Sequence, residues 1–234
     1  MGKQTLSAII PVFNEEKRLK VTFEHLEKRW ISAALKLEQV IFVNDGSTDN
    51  TLKLLRAKKQ ILENKLNCRV SIISYKHNRG KGHAIKRGME TSNSDYSLLC
   101  DADMSTPLKE VKKCIPYLRK NVAIVIGTRK SGHSTVVIHQ PSYREKLGKV
   151  FTFIAQVTLG VPVTDFTCGF KFFRKDAKEA IFKRSRIERW GYDAENLFIA
   201  SKLGCNIQEV ALLWAHEKGT KVNVLRDGIY SLYE

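Results

Sequence analysis

Asp101-Ala102-Asp103 follows the apolar run Tyr96-Ser97-Leu98-Leu99-Cys100 and leads into Met104-Ser105-Thr106-Pro107. Two carboxylates one residue apart, just past a run that reads as a buried strand, can hold a divalent cation at the mouth of a sheet. Few, anionic, hard oxygen ligands suit Mg2+ or Mn2+ and leave coordination positions for a substrate diphosphate. An isolated Asp-x-Asp is as readily an acidic turn, so the reading depends on what else gathers near it. Phe13-Asn14-Glu15 and Asn44-Asp45 each set a carboxylate after an apolar run, and Asn78-Arg79-Gly80-Lys81-Gly82 combines two glycines with two cations. Glycine lets backbone approach a ligand closely, and the cations favour phosphate. The spacing is not that of a Walker loop, so ATP hydrolysis fits poorly. Helix capping by Glu15 and Asp45, and a solvated basic loop at 78–82, are the purely structural alternatives.

The elements that must position these groups are legible from hydrophobic periodicity. Residues 6–12, 40–43, 70–73, 96–100 and 122–126 read as short buried strands. Between them lie helices: one that starts at Asn14-Glu15-Glu16 and carries Leu19, Phe23, Leu26 and Trp30, one around Leu52 and Leu55, one over 81–89 and one over 109–118. Strands alternating with helices predict right-handed crossovers and a mostly parallel sheet covered on both faces. Ligands of such sheets lie beyond the carboxyl ends of the strands, where all four chemistry-bearing segments fall. After about residue 130 the pattern changes. Residues 131–140 read as a loop, and a basic amphipathic stretch from Arg144 carries Leu147, Val150, Phe151, Ile154, Val157 and Leu159. A strand is expected within 165–173, a helix over 192–203 and a strand over 207–214. No repeat or low-complexity linker divides the 234 residues, so a single α/β domain is expected.

Forty Lys plus Arg against 24 Asp plus Glu give a net charge of +16, which asks for an anionic partner: nucleic acid, a membrane surface or a phosphorylated substrate. A non-catalytic nucleic-acid-binding protein would rest on that charge alone, since no helix-turn-helix, zinc finger or RRM signature accompanies it. The five cysteines are odd in number and without CxxC spacing, which predicts a reduced cytoplasmic protein without zinc or disulfides. No apolar run approaches the ~18 residues of a membrane span. Strand-like residues begin at Leu6, so no signal-peptide pattern is read.

Pro11-Val12-Phe13-Asn14-Glu15-Glu16, Val43-Asn44-Asp45-Gly46-Ser47-Thr48-Asp49, Asn78-Arg79-Gly80-Lys81-Gly82 and Asp101-Ala102-Asp103, in that order, resemble the family 2 glycosyltransferases of the GT-A fold. Asp165-Phe166-Thr167-Cys168-Gly169-Phe170-Lys171, Glu188-Arg189-Trp190-Gly191-Tyr192-Asp193-Ala194-Glu195, Trp214 and Gly219-Thr220-Lys221 are similar to segments of the dolichyl-phosphate β-glucosyltransferases and their bacterial and archaeal relatives. The dolichyl-phosphate mannose synthases share most of the first half. Eukaryotic enzymes of this kind begin with a membrane helix, for which this sequence has no counterpart.

The resemblance implies a Rossmann-like GT-A domain whose residues 1–130 bind a nucleotide-sugar and whose residues 131–234 face the acceptor. It implies metal-dependent, inverting transfer of a hexose, glucose from UDP-glucose first, onto dolichyl or polyprenyl phosphate. GDP-mannose is the alternative donor. A sugar hydroxyl is the alternative acceptor, which would make Asp193 or Asp165 a general base. The nucleotide-sugar would contact Pro11, Phe13, Glu15, Val43, Asp45, Lys81, Cys100, Asp101, Ala102, Asp103 and Lys221. Asp101 and Asp103 would hold Mg2+ or Mn2+, and Asp103, Arg129 and Asp193 would serve catalysis. Arg129 and Arg144 would meet the acceptor phosphate, with the apolar face of 147–159 against lipid. Glu188-Arg189 is expected as a salt bridge and Trp190 as a core anchor. The expected partners are the donor, the lipid phosphate, the cytoplasmic membrane face and a tethering membrane protein, with no nucleic acid.

Overall fold

The computed structural model describes residues 3–28, 30, 31, 34–130, 134–138, 142–215, 230, 233 and 234. Its first half alternates β1 (Gln4–Val12), α1 (Leu19–Glu27), β2 (Leu35–Asp45), α2 (Thr51–Leu66), β3 (Arg69–Tyr75), α3 (Lys81–Thr91), β4 (Tyr96–Cys100), a 3-10 turn (Leu108–Glu110) running into α4 (Val111–Arg119), and β5 (Ile124–Thr128). The second half adds β6 (Thr135–Ile138), α5 (Ser142–Leu159), β7 (Phe170–Arg174), α6 (Lys175–Phe182), α7 (Tyr192–Lys202), β8 (Ile207–Ala211) and β9 (Leu213–Ala215).

Seven strands form one sheet in the order β3-β2-β1-β4-β7-β5-β8, and β6 pairs with β9 in a separate two-stranded ribbon. β1 pairs in parallel with both β2 and β4, so the chain reverses its direction of winding at β1. The loops after β1 and β4 therefore diverge and open a crevice at the carboxyl end of the sheet. β7 is the exception to parallel pairing. It runs antiparallel to β4 and β5, with Phe170 opposite Cys100, so its start lies beside the end of β4.

Burial explains which residues make these strands. Ile9, Ile10, Val40, Ile41, Val43, Leu98, Ile124 and Ile126 are fully buried, as strands covered on both faces require. In β7 the alternating pleat sends Phe170 and Phe172 to one face, ring centroids 5.7 Å apart. Phe173 packs on Phe182 of α6 across the other face. Each such ring stabilises the fold by about 1.5–3 kcal/mol relative to exposure.

Three expectations need correction. The first helix begins at Leu19 rather than at 14–16, because Asn14 is left-handed (φ 52°) and its side-chain oxygen accepts the Thr48 backbone N–H at 2.7 Å. The region 131–140 contains β6, whose Val137 and Ile138 are exposed and so give no burial signal. The apolar run over 207–214 is two strands, β8 and β9, which join different sheets. The short helix α6, with four charged residues in eight, was not expected at all.

Candidate active site

The loops after β1 and β2 are fastened to each other. Ser47 Oγ accepts the Asn14 N–H at 2.9 Å, Thr51 Oγ1 accepts the Glu15 N–H at 2.7 Å, and Glu16 accepts from the Asn50 backbone and side chain. Asp49 caps α2 by accepting the Thr51 N–H at 2.9 Å. This cross-bracing holds the ends of β1 and β2 side by side, with Pro11 in β1, Phe13 and Glu15 just after it, and the buried Val43 and Asp45 at the end of β2. Glu15 is gripped there by the Arg18 guanidinium through two nitrogens at 2.5 and 2.6 Å. Arg18 also sits in the field of Asp103 and Asp101. Sequence reasoning missed it, although a Glu-x-x-Arg spacing was available as a signal.

Asp45 does not cap its own helix. Its carboxylate accepts the Arg79 N–H at 2.8 Å, the Gly80 N–H at 3.0 Å and the Asn78 side-chain amide at 2.7 Å, and so organises the turn before α3. The two glycines of that turn serve a purpose other than cradling phosphate. Gly82 and His83 donate their N–H groups to the carbonyls of Arg189 and Glu188. A Cβ on Gly80 would lie 2.4 Å from the Glu188 carbonyl oxygen, and one on Gly82 2.5 Å from that of Ile187. The segment before α7 thus docks on the amino end of α3 and takes up its unpaired donors. Glu188 pairs with Arg79 at 2.6 Å and His83 at 3.1 Å rather than with its neighbour Arg189. Trp190 is half-buried with its ring 5.8 Å from the Lys81 ammonium, so it is no core anchor.

Past β4, Thr22 of α1 donates its hydroxyl to the Ala102 carbonyl at 2.5 Å, and the buried Cys100 thiol donates to the Ile9 carbonyl. Met104 turns left-handed (φ 54°), returning its N–H to the Asp101 carbonyl. Asp103 accepts the Ser105 N–H at 3.0 Å, and Asp101 Oδ1 pairs with Lys81 Nζ at 2.7 Å. The other Asp101 oxygen faces Gly169, the residue before β7, where an added Cβ would stand only 1.9 Å from it. Burial, and next the like charge of Asp101, raise the Asp103 carboxyl above the usual carboxylate range, outweighing Ser105 and Lys81.

That raised pKa is the mark of negative charge left undercompensated. A divalent cation would relieve it, and among the described residues no third His, Cys, Asp or Glu crowds the pair. The donor set, two hard carboxylates with room for phosphate oxygens, fits Mg2+ or Mn2+.

Past the end of β5, Arg129 grips the fully buried Asp165 with two nitrogens at 2.7 and 2.6 Å, adds Thr167 Oγ1 at 2.9 Å, and lies 5.4 Å from the centroid of the Trp214 ring. Burial would raise the Asp165 carboxyl, but the guanidinium overrides it and holds the group below its ordinary value. Asp193, in the first turn of α7, pairs with Lys171 of β7, whose ammonium also donates to the Cys168 carbonyl at 2.8 Å. Lys171 is buried in a strand, and sequence reasoning assigned it no role; a lone cation inside Phe-Lys-Phe-Phe was the available signal. Glu195 accepts the Arg186 and Ile187 N–H groups and is structural. On α5, Thr152 and Ala155 face the core, while Val150, Phe153 and Val157 stand exposed along one stripe. The Arg144 side chain, Lys221 and the rest of 219–221 lie outside the described residues. Among the described residues no helix is long and apolar enough to cross a membrane.

Solved structures share this fold. Glucosyl-3-phosphoglycerate synthase from Mycobacterium tuberculosis, in complex with Mn2+, UDP and glucosyl-3-phosphoglycerate, superposes with a TM-score of 0.69 at 17% identity, covering 98% of this chain and 78% of that one. Staphylococcus aureus TarS in complex with UDP-GlcNAc gives 0.61 at 19% identity, covering 92% and 60%. The shared architecture is GT-A. In sequence, the chain is 31% identical to dolichyl-phosphate β-glucosyltransferase of Dictyostelium discoideum, over 96% of this chain and 70% of that protein. It is 33% identical to the mouse enzyme of the same name, over 93% and 69%. The family model for glycosyl transferase family 2 matches residues 7–182, a stretch that takes in the cross-braced loops, Lys81, the Asp101/Asp103 pair and the Arg129–Asp165 clamp, and the chain belongs to that family.

Proposed function

We propose that this glycosyltransferase moves glucose from UDP-glucose onto the phosphate of dolichol or another polyprenol, inverting the anomeric centre and releasing UDP. The observation that carries the acceptor class is the state of the late carboxylates. Asp165 is clamped by Arg129 and Asp193 by Lys171, so neither is the free proton acceptor that a sugar-hydroxyl nucleophile needs. A phosphate monoester needs none, because its second ionisation lies near ~6 and it is largely dianionic at neutral pH. The relatives' names, dolichyl-phosphate β-glucosyltransferase, support the same acceptor and sugar.

In the transfer, an acceptor phosphate oxygen bonds to the anomeric carbon as the bond from that carbon to the diphosphate breaks, and the electron pair leaves with UDP. Asp103, with Asp101 beside it, would hold a divalent cation, whose Lewis acidity would stabilise charge on the departing diphosphate. Phe13 offers a ring for the base. Asp45 is held by residues 78–80, which fixes the carboxylate at the end of β2 where the nucleotide would lie. Arg129 and Asp193 act in this reading as held, oriented charges around the acceptor phosphate. The exposed Val150, Phe153 and Val157, with Lys149 exposed beside them, suit a peripheral seat on the cytoplasmic membrane face.

The test is nucleoside diphosphate release from UDP-glucose and from GDP-mannose, with and without a short-chain polyprenyl phosphate and Mn2+. Lipid- and metal-dependent turnover of UDP-glucose is the expected result. Selective turnover of GDP-mannose would overturn the donor assignment, and turnover that ignores the lipid phosphate would overturn the acceptor.

A further inference from the structure

We infer that Lys81 is a built-in counter-cation that competes with the metal for Asp101 and yields its place when the donor diphosphate arrives, so that nucleotide and metal load together. The inference rests on the metal reading above and adds to it an order of binding.

The geometry is asymmetric. Lys81 Nζ sits 2.7 Å from Asp101 Oδ1, while the opposite oxygen is backed against Gly169. One Asp101 oxygen is thus engaged by the ammonium and the other is backed by Gly169, so a metal competes with Lys81 for this carboxylate. A dication on the same carboxylate would also meet a positive charge within a few ångströms, in a site only partly open to water. Asp103, by contrast, accepts the Ser105 N–H and has no ion-pair partner among the described residues. The site without nucleotide therefore offers a metal one strong carboxylate and one already taken.

Lys81 is also free to leave. Its side chain is about one quarter exposed, and it springs from the first residue of α3. In that loop the Arg79 and Gly80 N–H groups go to Asp45 and those of Gly82 and His83 to the carbonyls of Arg189 and Glu188, so the mobile charge is the ammonium on its flexible four-carbon stem. The Trp190 ring flanks it at 5.8 Å, and the field of Asp193 holds it near the crevice as it swings. A diphosphate that draws the ammonium off Asp101 completes the metal site in the same movement.

The experiment is Mn2+ binding by electron paramagnetic resonance of the free ion, with and without saturating UDP, on wild type, Lys81→Met, Lys81→Gln and Asp103→Ala. Wild type should bind Mn2+ weakly alone and at least ~10-fold more tightly with UDP. Lys81→Met and Lys81→Gln should bind Mn2+ without UDP about 10-fold more tightly than wild type, and should bind UDP in its presence about 10-fold more weakly. Asp103→Ala should bind Mn2+ poorly throughout. Either uncharged variant, folded by circular dichroism, binding nucleotide-free Mn2+ no better than wild type would overturn the role of Lys81 and leave the metal site standing. Wild type that takes up no Mn2+ even with UDP would overturn the metal reading and this inference with it.

Discussion

Gly169→Ala is the sharpest probe of the site, because it adds one methyl group at a known distance from a known oxygen. The new Cβ would lie 1.9 Å from Asp101 Oδ2, 2.4 Å from its Cγ and 2.8 Å from Oδ1, against about 3.4 Å for ordinary contact. The carboxylate must therefore retreat by about 1.5 Å, the difference between that contact and the shortest distance. Gly169 itself has no left-handed backbone to strain, so the cost falls on Asp101. Driving Asp101 off its rotamer costs about 0.5–1.5 kcal/mol. Losing the partly exposed pair with Lys81 adds a few tenths to about 1 kcal/mol after solvent screening. A loss of about 1–2 kcal/mol in a chain of this size lowers Tm by about 2–8 °C. Misplacing a reacting or ligating group by an ångström costs about 100-fold in rate. The expectation is thus a folded protein with UDP release from UDP-glucose about 100-fold below wild type, read alongside a thermal melt. Activity within threefold of wild type would refute the placement of Asp101. A melt lowered by more than about 15 °C would show that the glycine serves packing instead.

Three further substitutions test separate links. Asp165→Asn breaks a pair in which the carboxylate is fully buried and should cost about 3–5 kcal/mol. The Asp165 carboxyl is held below its ordinary value, so the pair's contribution is complete above the unfolded carboxylate range of ~4 and is lost only as pH falls through the lowered folded value. The difference in Tm between variant and wild type should accordingly stay constant from about pH 8 to 5, and a gap that closes near pH 6 would contradict the assignment. Phe153→Asp, which removes the central ring of the exposed α5 stripe, should weaken binding to anionic vesicles about 10–100-fold while turnover of a short soluble acceptor is unchanged; unaltered vesicle binding would rule out that face. Thr22→Val leaves the Ala102 carbonyl without its hydroxyl donor, so stability should fall by about 1–3 kcal/mol and UDP release at least threefold. If only the melt moves, Thr22 supports the fold and not the metal loop.

What the sequence made legible follows from how local each signal is. β4 was readable to the residue because Tyr96 to Cys100 is an apolar run buried on both faces and bounded by Asp95 and Asp101. The start of α3 was readable because Gly80 and Gly82 punctuate it. Partnerships across the chain were not readable. Gly80 and Gly82 carry the same signal whether the backbone they admit is a ligand's or, as here, that of residues 187 and 188. Glu188 and Arg189 look like a pair by adjacency, yet Glu188 reaches Arg79 and His83. β6 stayed hidden because its partner β9 is far along the chain and its own side chains are exposed. Asp101, Asp103 and Lys81 were singled out by type and spacing, and the fold brings Lys81 and Asp101 together. Gly169 came to lie against Asp101, and Lys171 against Asp193, only through the reversed direction of β7.

That reversal ties the site together. A parallel strand beside β4 would bring its carboxyl end to the crevice; the antiparallel β7 brings its beginning, and with it the segment 165–169. Gly169 then backs Asp101, Asp165 meets Arg129 at the end of β5, and Lys171, one residue inside the strand, reaches Asp193 under α7. One strand direction thus decides which carboxylates are neutralised by the protein and which are not. Asp165 and Asp193 receive dedicated cations, Asp101 shares one that can leave, and Asp103 is left with charge that burial makes costly. A donor diphosphate brings two negative charges to this mouth and could not enter beside two bare carboxylates without a counter-ion. On the proposed function, the fixed cations hold the acceptor side, while the donor side is left anionic for a divalent ion that arrives with the nucleotide.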